Sequence, residues 1–181
     1  LLLISIQALN FQLSNSLNHD VSWLLTIADA LSDGKKPYID FMENNPPLII
    51  WIYSIPAVLQ SYTDFHIISL FRISIMMMIL ASCLLTLHIL KNNDAGTGNK
   101  ITLPFTLMLA LCLGLLVLKD FGQREHIVSA LLIPYICLAS KFNRNSINYL
   151  VYFLAAIAIC IKPQYIAIII FTYLSQVILS K

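Results

Sequence analysis

Residues 66–90 read HIISLFRISIMMMILASCLLTLHIL, an apolar run interrupted by a single fixed charge, Arg72. A helix needs about 20 such residues to cross the hydrocarbon of a bilayer. Shorter apolar runs flank it at 1–9, 101–118, 127–140, 147–161 and 164–180. The whole chain is 59% hydrophobic and only 11% charged, with mean hydropathy +0.80. A soluble domain carries roughly a quarter of its residues charged. These features predict an all-α, multi-pass transmembrane bundle of about six spans, forming one domain over 1–181. The formal charge of +2 is too mild to point to nucleic acid. Cys83, Cys112, Cys137 and Cys160 each lie inside an apolar run without ligand or CxxC spacing, so they read as small buried hydrophobes. The chain opens on Leu1 and closes on Lys181 beside apolar runs, the pattern of a piece of a longer protein.

The run Pro46–Leu59 decides the topology. It opens on Pro46-Pro47 and carries Pro56 inside, which suits an interfacial or re-entrant helix better than a span. If it does not cross, eight of the nine acids lie on one face of the membrane, with Asp94 opposite. The opposite loops, Lys91–Lys100 and Lys141–Asn148, then carry Lys91, Lys100, Lys141 and Arg144, as cytoplasmic loops do. That orientation turns the acidic face away from the cytoplasm, to the periplasm or exterior of a bacterial inner membrane.

Five of those acids, Asp20, Asp29, Asp33, Asp40 and Glu43, fall between His19 and Pro46. Val21, Leu24, Leu25, Ala28 and Leu31 recur at helical spacing, with Ser22, Thr26, Asp29 and Ser32 elsewhere, so an amphipathic helix lies in the outer loop. Asp20 at its start reads as the N-cap, as a carboxylate held at the membrane surface for proton transfer or metal binding, or as both together. Asp33-Gly34 reads as the helix stop. Glu43 reads as a solvated acid, as a dipole partner for the helix after Pro46, or as a second carboxylate beside Asp20.

Further along, Lys119 and Asp120 read as ordinary loop solvation. Arg124-Glu125-His126 abuts an apolar run, where three ionisable groups are costly unless paired or turned to a polar cavity. Arg124 and the helix start behind it suit a phosphate. Lys162-Pro163-Gln164 breaks two apolar runs, and Lys162 reads as a snorkelling lysine or a second cation. Arg72 has the same snorkelling reading.

His19-Asp20, then an amphipathic helix, Gly34, Pro37-Tyr38, Asp40-Phe41 and Glu43-Asn44-Asn45-Pro46-Pro47-Leu48, resembles the outer loop of the GT-C glycosyltransferases. The nearest branch is that of protein O-mannosyltransferases and the lipid A aminoarabinose transferase. The resemblance implies that Asp20 and Glu43 are the catalytic acids. It further implies that Glu125 and Lys162 match a later acid and a later lysine of the family, with Arg124 and His126 beside them in substrate binding. The first motif is His-Asp where mannosyltransferases have Asp-Glu, and Arg-Glu-His stands where relatives often have Asp-Pro.

A GT-C likeness implies transfer of a sugar from a polyprenyl-phosphate donor to a lipid, glycan or protein acceptor, by inverting displacement with Asp20 as base. Some relatives use a divalent metal ion, for which Asp20 and Glu43 are the candidate ligands. Two other classes compete. A transporter would carry paired charges at mid-membrane on broken helices, whereas nearly every charge here lies at a span end. A non-catalytic scaffold or truncated membrane protein shares the same composition.

Overall fold

The computed structural model describes residues 1–92, 99–139 and 146–179. Among the described residues eight α-helices follow in order: α1 (Leu2–Ser14), α2 (His19–Ser32), α3 (Pro47–Gln60), α4 (Ile67–Asn92), α5 (Asn99–Leu111), α6 (Arg124–Ala139), α7 (Ser146–Ile161) and α8 (Ile166–Leu179). A turn of π-helix, Cys112–Leu116, continues α5, and short 3₁₀ turns precede α6 and α8. Among the described residues there is no strand, so the all-α expectation holds. The loops around Lys91–Lys100 and Lys141–Asn148, on which the charge asymmetry rested, fall in part outside the described residues.

Only Ile67–Lys91, among those residues, is both long and apolar enough to cross a membrane, with mean hydropathy 2.3. Leu2–Ser14, Ile101–Leu116, Ile147–Ile161 and Pro163–Ser175 are apolar but shorter. On that criterion one of the expected spans, α4, meets the length among the described residues.

The central helix α4 packs on α1, α3, α5 and α6, and α6 packs in turn on α7. Small and hydroxylated residues let these helices approach closely. The Ser82 hydroxyl of α4 donates to the Ala130 carbonyl of α6 at 2.5 Å, and Gln12 Nε2 of α1 donates to the Gly114 carbonyl at 2.9 Å. A Cβ on Gly114 would stand 2.8 Å from the Ala8 Cβ, so that crossing needs glycine.

One end of the bundle gathers the polar sequence. Arg72, in the second turn of α4, is buried; Nη1 donates to the Leu13 carbonyl at 2.9 Å and Nη2 to that of Asn15. It caps the C-terminus of α1 instead of snorkelling, and hydrogen bonds of this charged kind contribute about 1.5–3 kcal/mol each. The contact also fixes the topology, because it ties the end of α1 to the start of α4. The chain between them therefore leaves and returns at the same end.

Helix α3 lies across that end. Asn45, just ahead of it, accepts from Arg124 at the start of α6. Tyr53, at mid-helix, donates to the Gly122 carbonyl at 2.5 Å and stacks tilted on Phe71, with ring centroids 4.8 Å apart. All three partners belong to the same end, so Pro46–Leu59 does not carry the chain to the other. Helix α2 covers α3 with Val21, Leu24, Leu25 and Ala28 buried, as its periodicity predicts, and Ile27 buried with them.

Candidate functional site

The start of α2 differs from the expected cap. Asn18, not Asp20, is the N-cap: its Oδ1 accepts the Asp20 amide at 2.9 Å, and it is already extended at φ −66°, ψ 151°. Such a cap stabilises a helix by about 1 kcal/mol. Asn18 Nδ2 also donates to Asp120 Oδ1 at 2.9 Å, so Asp120 anchors two elements and is not merely solvated. Asp20 thus stands in the first turn with its side chain 62% exposed, favoured there by the helix dipole and free to meet a ligand. Its neighbour His19 is still more exposed, 3.9 Å away at Nδ1.

The stop of α2 follows the sequence reading. Gly34 adopts φ +82°, and the Gly34 and Lys35 amides close on the Leu31 and Ala30 carbonyls. The loop beyond it is tied to itself. Asp40 Oδ2 accepts the Lys36 amide at 2.6 Å, and the Tyr38 hydroxyl donates to the Asn45 carbonyl at 2.5 Å.

Glu43 is the centre of that loop. Oε1 accepts the amides of Asn44 at 2.8 Å and Asn45 at 2.7 Å, while Oε2 accepts Trp23 Nε1 at 3.0 Å. Three donors leave the carboxylate little capacity for a metal. Among the described residues no group of three His, Cys, Asp or Glu side chains could hold one. The residues present do not fit a divalent ion by themselves.

Around the start of α6 the expected residues do meet. An Arg124 Nη1 hydrogen bond reaches Asn45 Oδ1, and Lys162 Nζ pairs with Glu125 Oε1 from the α7–α8 junction. Burial would raise the Glu125 carboxyl, but the Lys162 hydrogen bond, its own backbone amide and the charges of Lys162 and Arg124 outweigh it and hold it below the usual range. Lys162 also lies 6.0 Å from the Tyr165 ring centroid. The snorkelling reading of Lys162 gives way to a pair. Asp20 is brought to the same end by Asn18, which accepts its amide and donates to Asp120 four residues before Arg124.

His126 sits differently from its two neighbours. It is only 5% exposed, and Nδ1 accepts the Gly122 amide at 2.9 Å. Burial pushes the imidazole down to about 4, against weaker support from the Leu113 backbone and Asp120. A ring so placed holds the turn before α6 and does not face a substrate. Gly122 is gripped from three sides: His126 below its amide, Tyr53 on its carbonyl, and Phe71 where a Cβ would be.

Tyr53, Trp23, Asn18 and Asn45 were missed in the sequence reading. Asn45 stood in the quoted Asn44-Asn45-Pro46-Pro47, but nothing in its spacing says which partner it takes. None of the four cysteines forms a disulfide; Cys83 is buried but Cys160 is exposed, against expectation.

No family model matches the chain, no curated protein matches it, and no solved structure matches it.

Proposed function

We propose that this chain is the outer-face portion of a membrane glycosyltransferase that moves a sugar from a polyprenyl-phosphate donor to a hydroxyl acceptor on a lipid, glycan or protein. One observation carries the reading. An exposed carboxylate, Asp20, shares a bundle end with a guanidinium, Arg124, whose hydrogen bond goes to a neutral amide, and with the Glu125–Lys162 pair. That is what displacement of a lipid phosphate by a hydroxyl requires.

The membrane setting is supported by the apolar side chains left uncovered around the helices. Leu3, Trp51, Met77, Ile101, Met108, Phe153 and Phe171 are all exposed. So many large apolar side chains left uncovered suit a lipid surrounding better than water. On this reading the shorter helices cross beside α4, and α2 with α3 rests on the outer surface.

In the reaction the acceptor oxygen attacks the anomeric carbon and Asp20 takes its proton. The new C–O bond forms as the bond from carbon to the phosphate oxygen breaks, with inversion. The charge growing on the departing lipid phosphate is met by Arg124 and by the amides at the start of α6. Lys162 is held near by Glu125 and adds a second cation once phosphate competes for it. Glu43, engaged by three donors, shapes the loop. No step runs through a metal.

The test is transfer from a polyprenyl-phosphate [¹⁴C]sugar in membranes carrying the protein. Asp20→Asn is expected to lower transfer by on the order of 10²–10⁴-fold while donor binding persists. Transfer at the wild-type rate in Asp20→Asn would sink the reading.

A further inference from the structure

A continuous path of hydrogen bonds runs from α2 to α6 through the outer loop. Trp23 Nε1 of α2 donates to Glu43 Oε2 at 3.0 Å, Glu43 Oε1 accepts the Asn45 amide at 2.7 Å, and Asn45 Oδ1 accepts from Arg124. Asp20 precedes Trp23 by three residues on the same helix, so both project from neighbouring positions of one face. The path thus begins beside the proposed base and ends on the proposed phosphate cation.

Asn45 is its hinge point. Its amide is bound by Glu43, its carbonyl by the Tyr38 hydroxyl and its side chain by Arg124. Pro46 and Pro47 follow and restrict the backbone on the other side. Tyr38 holds φ 66°, a conformation a non-glycine residue keeps only when its surroundings impose it. Its bond to Asn45 is one such imposition.

We infer, granting the glycosyl-transfer reading above, that Asn45 is a positioning residue: it orients the Arg124 guanidinium at the end of the bundle that carries Asp20 and couples what binds Arg124 to α2. The residue type matters. A carboxamide offers an acceptor oxygen without charge, so it orients the guanidinium and leaves its positive charge for an anion. A guanidinium has five N–H donors, and a phosphate engaging two of them outcompetes one neutral amide. A carboxylate at position 45 would instead neutralise Arg124 in place.

The coupling is read without any assay of transfer. The chain has two tryptophans, so Trp51→Phe leaves Trp23 alone, and 5-fluorotryptophan labelling in lipid nanodiscs gives one ¹⁹F resonance. Arg124→Ala, made on α6, is expected to shift that resonance on α2. In an Asn45→Ala background the same Arg124→Ala is expected to add no shift. An unmoved resonance in Arg124→Ala, or an equal shift with and without Asn45, overturns the inference. Asn45→Asp, which keeps shape and acceptor, guards against a variant that merely misfolds. It is expected to preserve the Trp23 resonance, whereas a resonance displaced as far as in Asn45→Ala counts against the path. With polyprenyl-phosphate sugar as substrate, Asn45→Asp is expected to raise KM about tenfold or more with kcat little changed, since the donor must break an ionic pair. Asn45→Ala is expected to lower kcat. The reverse pattern, KM unchanged in Asn45→Asp, overturns the role assigned to the neutral amide. A chain that shows the fluorine coupling yet consumes no polyprenyl-phosphate sugar removes the transferase reading and leaves the path standing.

Discussion

His126 accepts the Gly122 amide on Nδ1, so its neutral form carries the proton on Nε2, and a second proton would have to displace that amide. Its folded pKa is depressed from 6.5 to about 4 by burial. The unfolded chain therefore binds more protons between those values, and stability rises with pH across that window. The contribution is complete above about pH 6.5 and is lost as pH falls towards 4, by on the order of 3 kcal/mol at about 1.4 kcal/mol per pH unit. Thermal unfolding in detergent between pH 4 and pH 8 reads it out. His126→Asn keeps an acceptor near Nδ1 without a titrating ring, and is expected to flatten the profile in that window; an unchanged slope sinks the assignment. Glu125 acts lower down. Its depressed carboxyl stabilises the fold above the usual carboxylate value near 4.5 and loses that contribution only as pH falls through its lowered one. The sequence marked Arg124, Glu125 and His126 as one cluster, because all three stand before an apolar run. It could not separate them, since which side chain turns inward depends on the angle at which α6 meets α4 and the π-turn.

Between α5 and α6 the chain has to reverse within a few residues, and Gly122 is where it does so. A side chain there meets two obstacles. The φ of +82° costs an L-residue about 1–2 kcal/mol, and a Cβ would fall 2.4 Å and 2.6 Å from two carbons of the Phe71 ring. The ring cannot easily give, because Tyr53 stacks on it and Phe71 is itself buried. Gly122→Ala is expected to cost several kcal/mol of stability by the two effects together, on the scale of overpacked core variants, seen as a lowered unfolding midpoint. Phe71→Leu added to it is expected to recover part of the loss, and a Gly122→Ala chain as stable as wild type contradicts the packing. Elements of this kind divide what was legible from what was not. Helix α2 could be read from its stripe Val21, Leu24, Leu25, Ala28 and its Asp33-Gly34 stop, since amphipathic period and helix termination are local properties. The cap could not: Asn18 and Asp20 are both good N-cap types two residues apart, and the contact of Asn18 with Asp120 chooses between them. Arg72 reads from the sequence as a snorkelling residue because its partners, two backbone carbonyls at the end of α1, leave no trace in any side-chain pattern.

At the scale of the molecule, the question is which ends of the helices share a side, since the proposed chemistry needs Asp20, Arg124 and Lys162 together. Arg72 on the Leu13 and Asn15 carbonyls, Asn18 on Asp120, Asn45 on Arg124 and Glu125 on Lys162 each tie a different pair of segments at one end. The sequence anticipated that these segments share an end, through the prolines of Pro46–Leu59 and the distribution of acids, but not the ties themselves. They fix a pattern of accessibility that no arrangement with α3 crossing reproduces. With the native cysteines replaced by Ala or Ser, single cysteines at His19, Tyr62 and Lys119 are expected to react with a membrane-impermeant maleimide from one side of sealed vesicles. A cysteine at Lys91, at the far end of α4, is expected to react from the other side only. The spacing behind this is geometric: Tyr62 precedes α4 and Lys91 stands in its last turn, and α4 has 26 residues, roughly 39 Å at 1.5 Å per residue, more than the ~30 Å of hydrocarbon. If α3 crossed instead, His19 and Tyr62 would label from opposite sides. Then either Lys119 would part from His19, or the hydrogen bond of Asn18 to Asp120 could not exist in the membrane-bound protein. Labelling of His19, Tyr62 and Lys119 from one side, with Lys91 opposite, leaves a single outer surface on which a lipid phosphate, an acceptor hydroxyl and Asp20 can meet.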